Sequence, residues 1–498
     1  VSNLTHTFVI SVSKHAELWR TVNEWHPAFE WANPVGDEEP FLVMFIAAVV
    51  LLGVWAVTWL ARPRLSAKLR RKKTIDSIGY RWPAIDLPFL AIVVLTVYMA
   101  IRSRRFIPIA AEAACPVMAM LLYQMVRMIG ARRSFTRSES LVVPAMPVLW
   151  REVFVTAAGG AVIFLGVWWG YKFKRVYLDP WPEDARLNSV FMRMTASSAK
   201  PFFATQFIKE NKLRGNMFNY WTEGGFIAYG QEPDPKDGRT PLQLFMDGRA
   251  QAAYEPDSYI LWQDIYAGGP IVQNLRYARR VATAVEAAEI ANWINQQLKQ
   301  RHVWVVLLPT IELDQPEDFT KNYLPVLLPE HSDWRLVFTD DTQRLFVDVT
   351  TPQGSTLYEG IKTGWTRFPD EATKLVTQAL TAVSSGEPEQ VKRGFEDAKE
   401  SFQLQPSVTA FLAIVRTGSY GPLTEKTAAY CQAYLKDFEA NRRNYAKVAG
   451  YKKRLLAARF AANFLSLAGN DAKMAVSYKD KEKQYQREEK SLSRYRIW

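Results

Sequence analysis

The sequence predicts a membrane α-helical domain of four spans, followed by a mixed α/β extracytoplasmic domain and an all-α, repeat-like tail. Three observations predict this. First, Phe41–Leu60 runs 20 residues without a charge, and at 1.5 Å of rise per residue such a helix matches the roughly 30 Å hydrocarbon core of a bilayer. Second, the apolar runs lie before residue 171 with basic segments beside them, while the mean hydropathy of the whole chain is −0.14, too polar for a wholly embedded protein. Third, strand–helix–strand alternation after residue 186 gives way near residue 365 to charged helical sequence free of strand signals.

Composition excludes several function classes. The net charge of +12 invites a nucleic-acid reading, but the cations cluster beside the apolar runs, which is the positive-inside pattern. No nucleic-acid partner is expected. The two cysteines, Cys115 and Cys431, are far apart, and the five histidines show no ligand spacing, so neither a disulfide framework nor a metal site is expected. Trp25, Trp31, Trp59, Trp82, Trp168 and Trp169 flank the apolar runs, as rings held at headgroup depth do. Val1 opens a mixed segment without the basic-then-apolar order of a signal peptide, and without Met, so the chain is expected to begin inside a longer protein.

Residues 1–40 are read as an extracytoplasmic interfacial segment. Leu18, Trp19, Val22 and Trp25 share one helical face, and Pro27 and Pro34 follow. The first span is 41–60. Eight Lys/Arg between Arg62 and Arg81, against one Asp, place the next loop in the cytoplasm. The second span, 87–101, has Pro88 in its first turn and is short for a crossing. The third is 106–129, the basic stretch Arg127–Arg137 returns to the cytoplasm, and the fourth is 153–170 with Gly159–Gly160 permitting close helix contact. Four crossings that start outside end outside. The rest is therefore expected to be extracytoplasmic, in a multi-pass protein of the cell inner membrane.

Residues 186–350 form the α/β domain. Pro201 opens a helix carrying Phe202, Phe203, Phe207 and Ile208; Gly224–Gly230 is expected as a short strand, Leu242–Met246 as a second, and Tyr277–Lys299 as one long helix. His302–Pro309 is apolar on both faces, as a covered strand is, and Trp334–Val349 reads as a hairpin around Asp340–Asp341. Residues 365–498 are expected as helix pairs of the tetratricopeptide type with irregular period.

No catalytic centre stands out. There is no phosphate-cradling Gly-rich loop, and the carboxylate pairs Glu38–Glu39, Glu183–Asp184 and Asp340–Asp341 are adjacent in sequence, which suits turns and caps better than acid/base work. Two constellations remain. Arg102, Arg104 and Arg105 lie by alternation on the outer side, against the usual charge bias. Three guanidiniums there either clamp a phosphate bidentately or snorkel to lipid headgroups. Asp247 and Arg249, in Phe245–Arg249, follow a strand where open α/β sheets bind ligands, or else form a Gly turn with a local ion pair.

Glu24-Trp25 with Pro27, the stretch Ala100–Pro116, the stretch Gly215–Gly230 and the stretch Phe245–Glu255 together resemble the C-terminal portion of a GT-C type membrane glycosyltransferase. That family is polyprenyl-phosphate-sugar-dependent and related to protein mannosyltransferases and oligosaccharyltransferases. The similarity is to bacterial members with a soluble C-terminal domain and tetratricopeptide-like repeats. The resemblance implies transfer of a sugar from a polyprenyl-phosphate donor to an extracytoplasmic acceptor, with Arg102, Arg104 and Arg105 as contacts for the lipid phosphate. It implies an acidic catalytic residue in a first extracytoplasmic loop, which matches no position here. The catalytic N-terminal half is thus expected to be absent from this chain, together with any divalent metal, so no cofactor is expected in this chain. The implied partners are the bilayer, the lipid-linked sugar and a protein at the helical tail. The alternative is a non-catalytic membrane-anchored scaffold that uses the tail for protein partners.

Overall fold

The structure, a computed structural model, describes residues 26–29, 38–61, 87–138, 148–174, 201–248, 254–310, 322–446, 451–468 and 472–495. The expected surface helix at 15–25, the basic loop at 62–81, the Glu183–Asp184 pair and Arg249 lie outside them. The chain divides into two compact units, Val1–Lys172 and Phe173–Arg496.

In the first unit, helix α1 spans Glu38–Leu60, α2 Leu87–Arg102, α3 Ile107–Ser138 and α4 Val148–Phe173. Three segments are long and apolar enough to cross a bilayer: Glu39–Leu60, Arg104–Gly130 and Arg151–Tyr171. The remaining helix, α2, is apolar but has only 16 residues. Helices α1, α2 and α3 run up, down and up. One cluster joins Phe41 of α1 to Ala100 of α2 and to Ile107 and Ala110 of α3. A second joins Trp55 to Val93 and to Leu121 and Met128 at the other end. Within the second cluster the buried Trp55 Nε1–H donates to Gln124 Oε1 at 3.1 Å. Such a pair satisfies an indole and an amide that would each be costly to leave alone in hydrocarbon. On α4, no residue of the apolar window is buried.

In the second unit a five-stranded sheet has the order β2-β1-β3-β5-β4, with β1 Gly215–Asn219, β2 Leu242–Leu244, β3 Val303–Pro309, β4 Trp334–Thr339 and β5 Gln343–Asp348. β1 is parallel to both β2 and β3, whereas β5 is antiparallel to β3 and β4. Alternation sorts the two faces. Met217, Val305, Leu307, Leu345 and Val347 pack on Phe203 and Phe207 of helix α5 (Phe202–Glu210) and on Leu357 and Ile361. On the other face Phe218 stacks on Trp262, with ring centroids 6.1 Å apart. The β4–β5 hairpin forms around Asp340, whose Oδ1 accepts from the amides of Thr342 at 2.6 Å and Gln343 at 2.8 Å. That is the turn role expected of the adjacent acids.

Two expectations for this unit are corrected. Gly224–Gly230 is helix α6, not a strand. The strand lies just upstream in β1, and Ile227 of α6 is buried in the same core as Met217. A Cβ on Gly224 would meet the Met246 carbonyl oxygen at 2.6 Å and Asp247 Cα at 2.8 Å, so glycine is there for close backbone approach. The helix expected over Tyr277–Lys299 begins seven residues later, at Ala284, and Tyr277 ends a separate helix. Pro256–Ala267 (α7) and Pro270–Tyr277 (α8) precede Ala284–Gln300 (α9), which starts at a capping box formed by Thr283 and Glu286.

After a short helix α10 (Leu324–Leu327) and α11 (Pro352–Thr363), the remaining described residues are helical. They form α12 Glu371–Ser385, α13 Pro388–Leu404, α14 Val408–Gly418, α15 Thr424–Tyr445, α16 Tyr451–Ala468 and α17 Ala472–Tyr495. Asp370 caps α12 by accepting from the Thr373 amide at 2.8 Å, and Gly386, at φ +70°, ends it in the left-handed region. Buried tyrosines and the glutamates they bond knit the last three helices. Tyr485 donates to Glu439, and Tyr451 and Arg442 both reach Glu488.

The hairpin tip ties sheet to helices. Asp341 Oδ1 accepts from the Thr409 amide at 3.0 Å, at the start of α14, and Asp341 pairs with Lys453 of α16 at 2.7 Å. Burial alone would raise the Asp341 carboxyl, but Lys453 and Thr409 together outweigh it and hold it below the usual carboxylate range. A carboxyl lowered on folding adds stability above its unfolded pKa that is lost as pH falls through the lowered value. We expect Asp341→Asn to lower unfolding stability by about 1–2 kcal/mol at neutral pH, a removed charged hydrogen bond at a partly exposed site. The loss should shrink below about pH 4, where the native aspartate is protonated in the unfolded chain. Urea unfolding at both pH values, followed by intrinsic fluorescence, checks this.

Candidate functional site

The arginine cluster falls at the corner between α2 and α3. Arg102 is the last residue of α2, and Arg104–Phe106 form a single 3-10 turn into α3. The three guanidiniums do not act alike. Arg104 is buried, with Ser103 beside it. Its amide donates to the His26 carbonyl at 3.0 Å, its Nε donates to the Pro27 carbonyl at 3.3 Å, and the Ala28 amide donates back to Ile101 at 3.1 Å. Ala28 is fully buried against Phe41, and Phe29 stacks on Phe41 at 5.6 Å. Residues His26–Phe29 therefore lie across the corner, and Arg104 holds them there. Arg102 and Arg105 are exposed. Among the described residues Arg102 has no hydrogen-bond or ion-pair partner. Two cations thus face outward from a corner whose third arginine is spent on fixing its shape. The three expected phosphate contacts thus differ in exposure, Arg104 being buried and Arg102 and Arg105 exposed.

The second constellation lies at the carboxyl ends of β1, β2, β3 and β4, where the amino end of β5 also falls. Asp247 is there, buried, three residues beyond β2 and pressed against Gly224. Residues that sequence reading missed join it. Glu223 is buried and its Oε1 accepts from Gln343 Nε2 at 2.8 Å; Arg344, next in β5, is buried too. Asn219 is fully buried and structural. It donates to the Met246 carbonyl at 2.8 Å and accepts from the Phe245 amide at 3.1 Å, joining β1 to the end of β2. Beside it Tyr220, Trp262 and Tyr266 form a packed aromatic group. The only sequence signal for these partners was the family of turn and aromatic residues in Gly215–Gly230. Gln343 and Glu223 are 120 positions apart.

Among the described residues no group of three or more His, Cys, Asp or Glu could hold a metal ion. The buried Cys431 thiol is pushed up to about 12 by burial, so it stays protonated and unreactive. Comparison with known proteins finds no matching family model, no matching curated protein and no matching solved structure.

Replacing Arg104 by Gln removes a charged hydrogen bond to the Pro27 carbonyl, worth about 1.5–3 kcal/mol. We expect the amide of Ala28 to exchange roughly tenfold faster in Arg104→Gln, and to be unchanged in Arg102→Gln. Hydrogen-exchange mass spectrometry of the full chain in detergent reads this.

Proposed function

We propose that this chain is the membrane-anchored, donor-contacting part of a polyprenyl-phosphate-dependent glycosyltransferase of the inner membrane. In this reading four helices cross the bilayer, the α/β and helical unit lies outside the cytoplasm, and the α2–α3 corner faces the outer boundary. The observation that carries the reading is the pair Arg102 and Arg105, exposed at the end of an apolar helix and next to a buried, fixed Arg104. A guanidinium at a membrane boundary is a strong partner for a lipid phosphate, and two can offset the charge that develops on a leaving phosphate. Arg104 acts through the others, as a positioning residue. The soluble unit then selects the acceptor.

A membrane-anchored scaffold is the second reading. It is favoured by the way Asn219, at the sheet edge, is taken up internally by the Met246 carbonyl and the Phe245 amide. The two readings separate cleanly. In the full-length enzyme that carries the catalytic half, Arg102→Gln with Arg105→Gln should lower sugar transfer from a polyprenyl-phosphate donor by about tenfold to a hundredfold while leaving the exchange of the Ala28 amide unchanged. Transfer that is indifferent to both substitutions favours the scaffold.

A further inference from the structure

Helix α3 keeps one face bare, and that face carries a charge. Ile109, Glu112, Cys115, Pro116, Ala119 and Tyr123 are exposed. Steps of three and four residues set them on one side of the helix. Ala110, Ala114, Val117 and Leu121, on the opposite side, are buried in the clusters shared with α1 and α2. Glu112 is the one charged residue between Arg105 and Arg127. Those two positions bracket about 33 Å of helix, which matches the roughly 30 Å hydrocarbon core. Glu112 then lies about 10 Å in from Arg105, farther than its own side chain reaches back. Among the described residues it has no hydrogen-bond or ion-pair partner. Pro116, four residues on, also removes the helical donor to the Glu112 carbonyl. Gln124 of the same helix shows the usual solution for a polar group at such depth, since it is buried and accepts from Trp55.

We infer that this face seats a membrane helix of another polypeptide, one that brings a Lys or Arg to Glu112. Hydrocarbon supplies no donor for a carboxylate, so an ionisable group at this depth faces protein. A cation is its strongest partner, because the hydrogen bond is then charged at both ends. Cys115 and Ala119, four residues apart, are small enough to let a second backbone approach closely. A second copy in the same orientation is a poor occupant, because a two-fold axis would set Glu112 against Glu112. The contact needs nothing from Arg102 or Arg105 and holds whether or not the corner binds phosphate.

The test uses the full chain in proteoliposomes with synthetic transmembrane peptides. Each peptide is a Leu/Ala helix with one Cys and, one turn away at the depth of Glu112, either Lys or Leu. Copper phenanthroline then joins the peptide thiol to Cys115, which is exposed three residues from Glu112, whereas Cys431 is buried in the other unit. The Lys peptide should cross-link about fivefold more than the Leu peptide. Glu112→Gln should abolish that preference while leaving the Leu-peptide yield as it was, and Glu112→Asp should retain it. Equal yields from the two peptides with the unsubstituted chain overturn the inference, as does a Lys preference that survives Glu112→Gln. A Cys115–Cys115 product that outcompetes both peptides overturns it too, because a second copy then occupies the face.

Discussion

Water cannot cover the outer faces of the N-terminal helices. Val43, Val49, Val57 and Leu60 of α1, and Ile163, Phe164, Val167 and Trp169 of α4, are all more than half exposed. Each large apolar side chain left in water forfeits about 1.5–3 kcal/mol relative to burial. Three of the helices are long and apolar enough to cross a bilayer, and the other inferences about the first unit follow from granting them a hydrocarbon solvent. The buried Trp55–Gln124 bond makes sense in that solvent, since polar groups there must find partners within the protein.

The same constraint explains the division of labour at the α2–α3 corner. A 16-residue helix ends early and brings its terminal backbone and three arginines to one place. One cation is spent inward, on the carbonyl of Pro27, so that the chain segment before α1 closes over the corner. The other two remain outside.

Legibility in the sequence followed the range of the interactions. The apolar helices could be read because length and lack of charge are local properties, and so could the helix from Pro201, the strand at residues 303–309 and the β4–β5 hairpin. Gly386 and Asp370 mark helix ends by local chemistry as well. The helix at Gly224–Gly230 was missed because its glycine answers to Met246 and Asp247 across the fold, which no local pattern records. The Thr283–Glu286 capping box was legible and was overlooked, since the apolar spacing from Tyr277 runs smoothly through it. At the corner, the cluster of arginines was visible but not the burial of Arg104, which depends on a partner 77 residues away. At the sheet edge the pairing of Glu223 with Gln343 was likewise beyond the reach of spacing.

The soluble unit depends on a different device, the Asp340–Asp341 tip that serves the hairpin with one carboxylate and the helical region with the next. Its anchoring role, however, is secondary to where the first unit resides. The most direct measurement places single spin labels along α1 and α4, at Val49, Val57, Ile163 and Val167, in the reconstituted full chain. Their collision rates with dissolved oxygen and with a water-soluble nickel chelate are then compared. A lipid-covered face gives high oxygen and low nickel accessibility at all four positions. High nickel accessibility at Val49 and Ile163, each near the middle of its helix, would contradict the account.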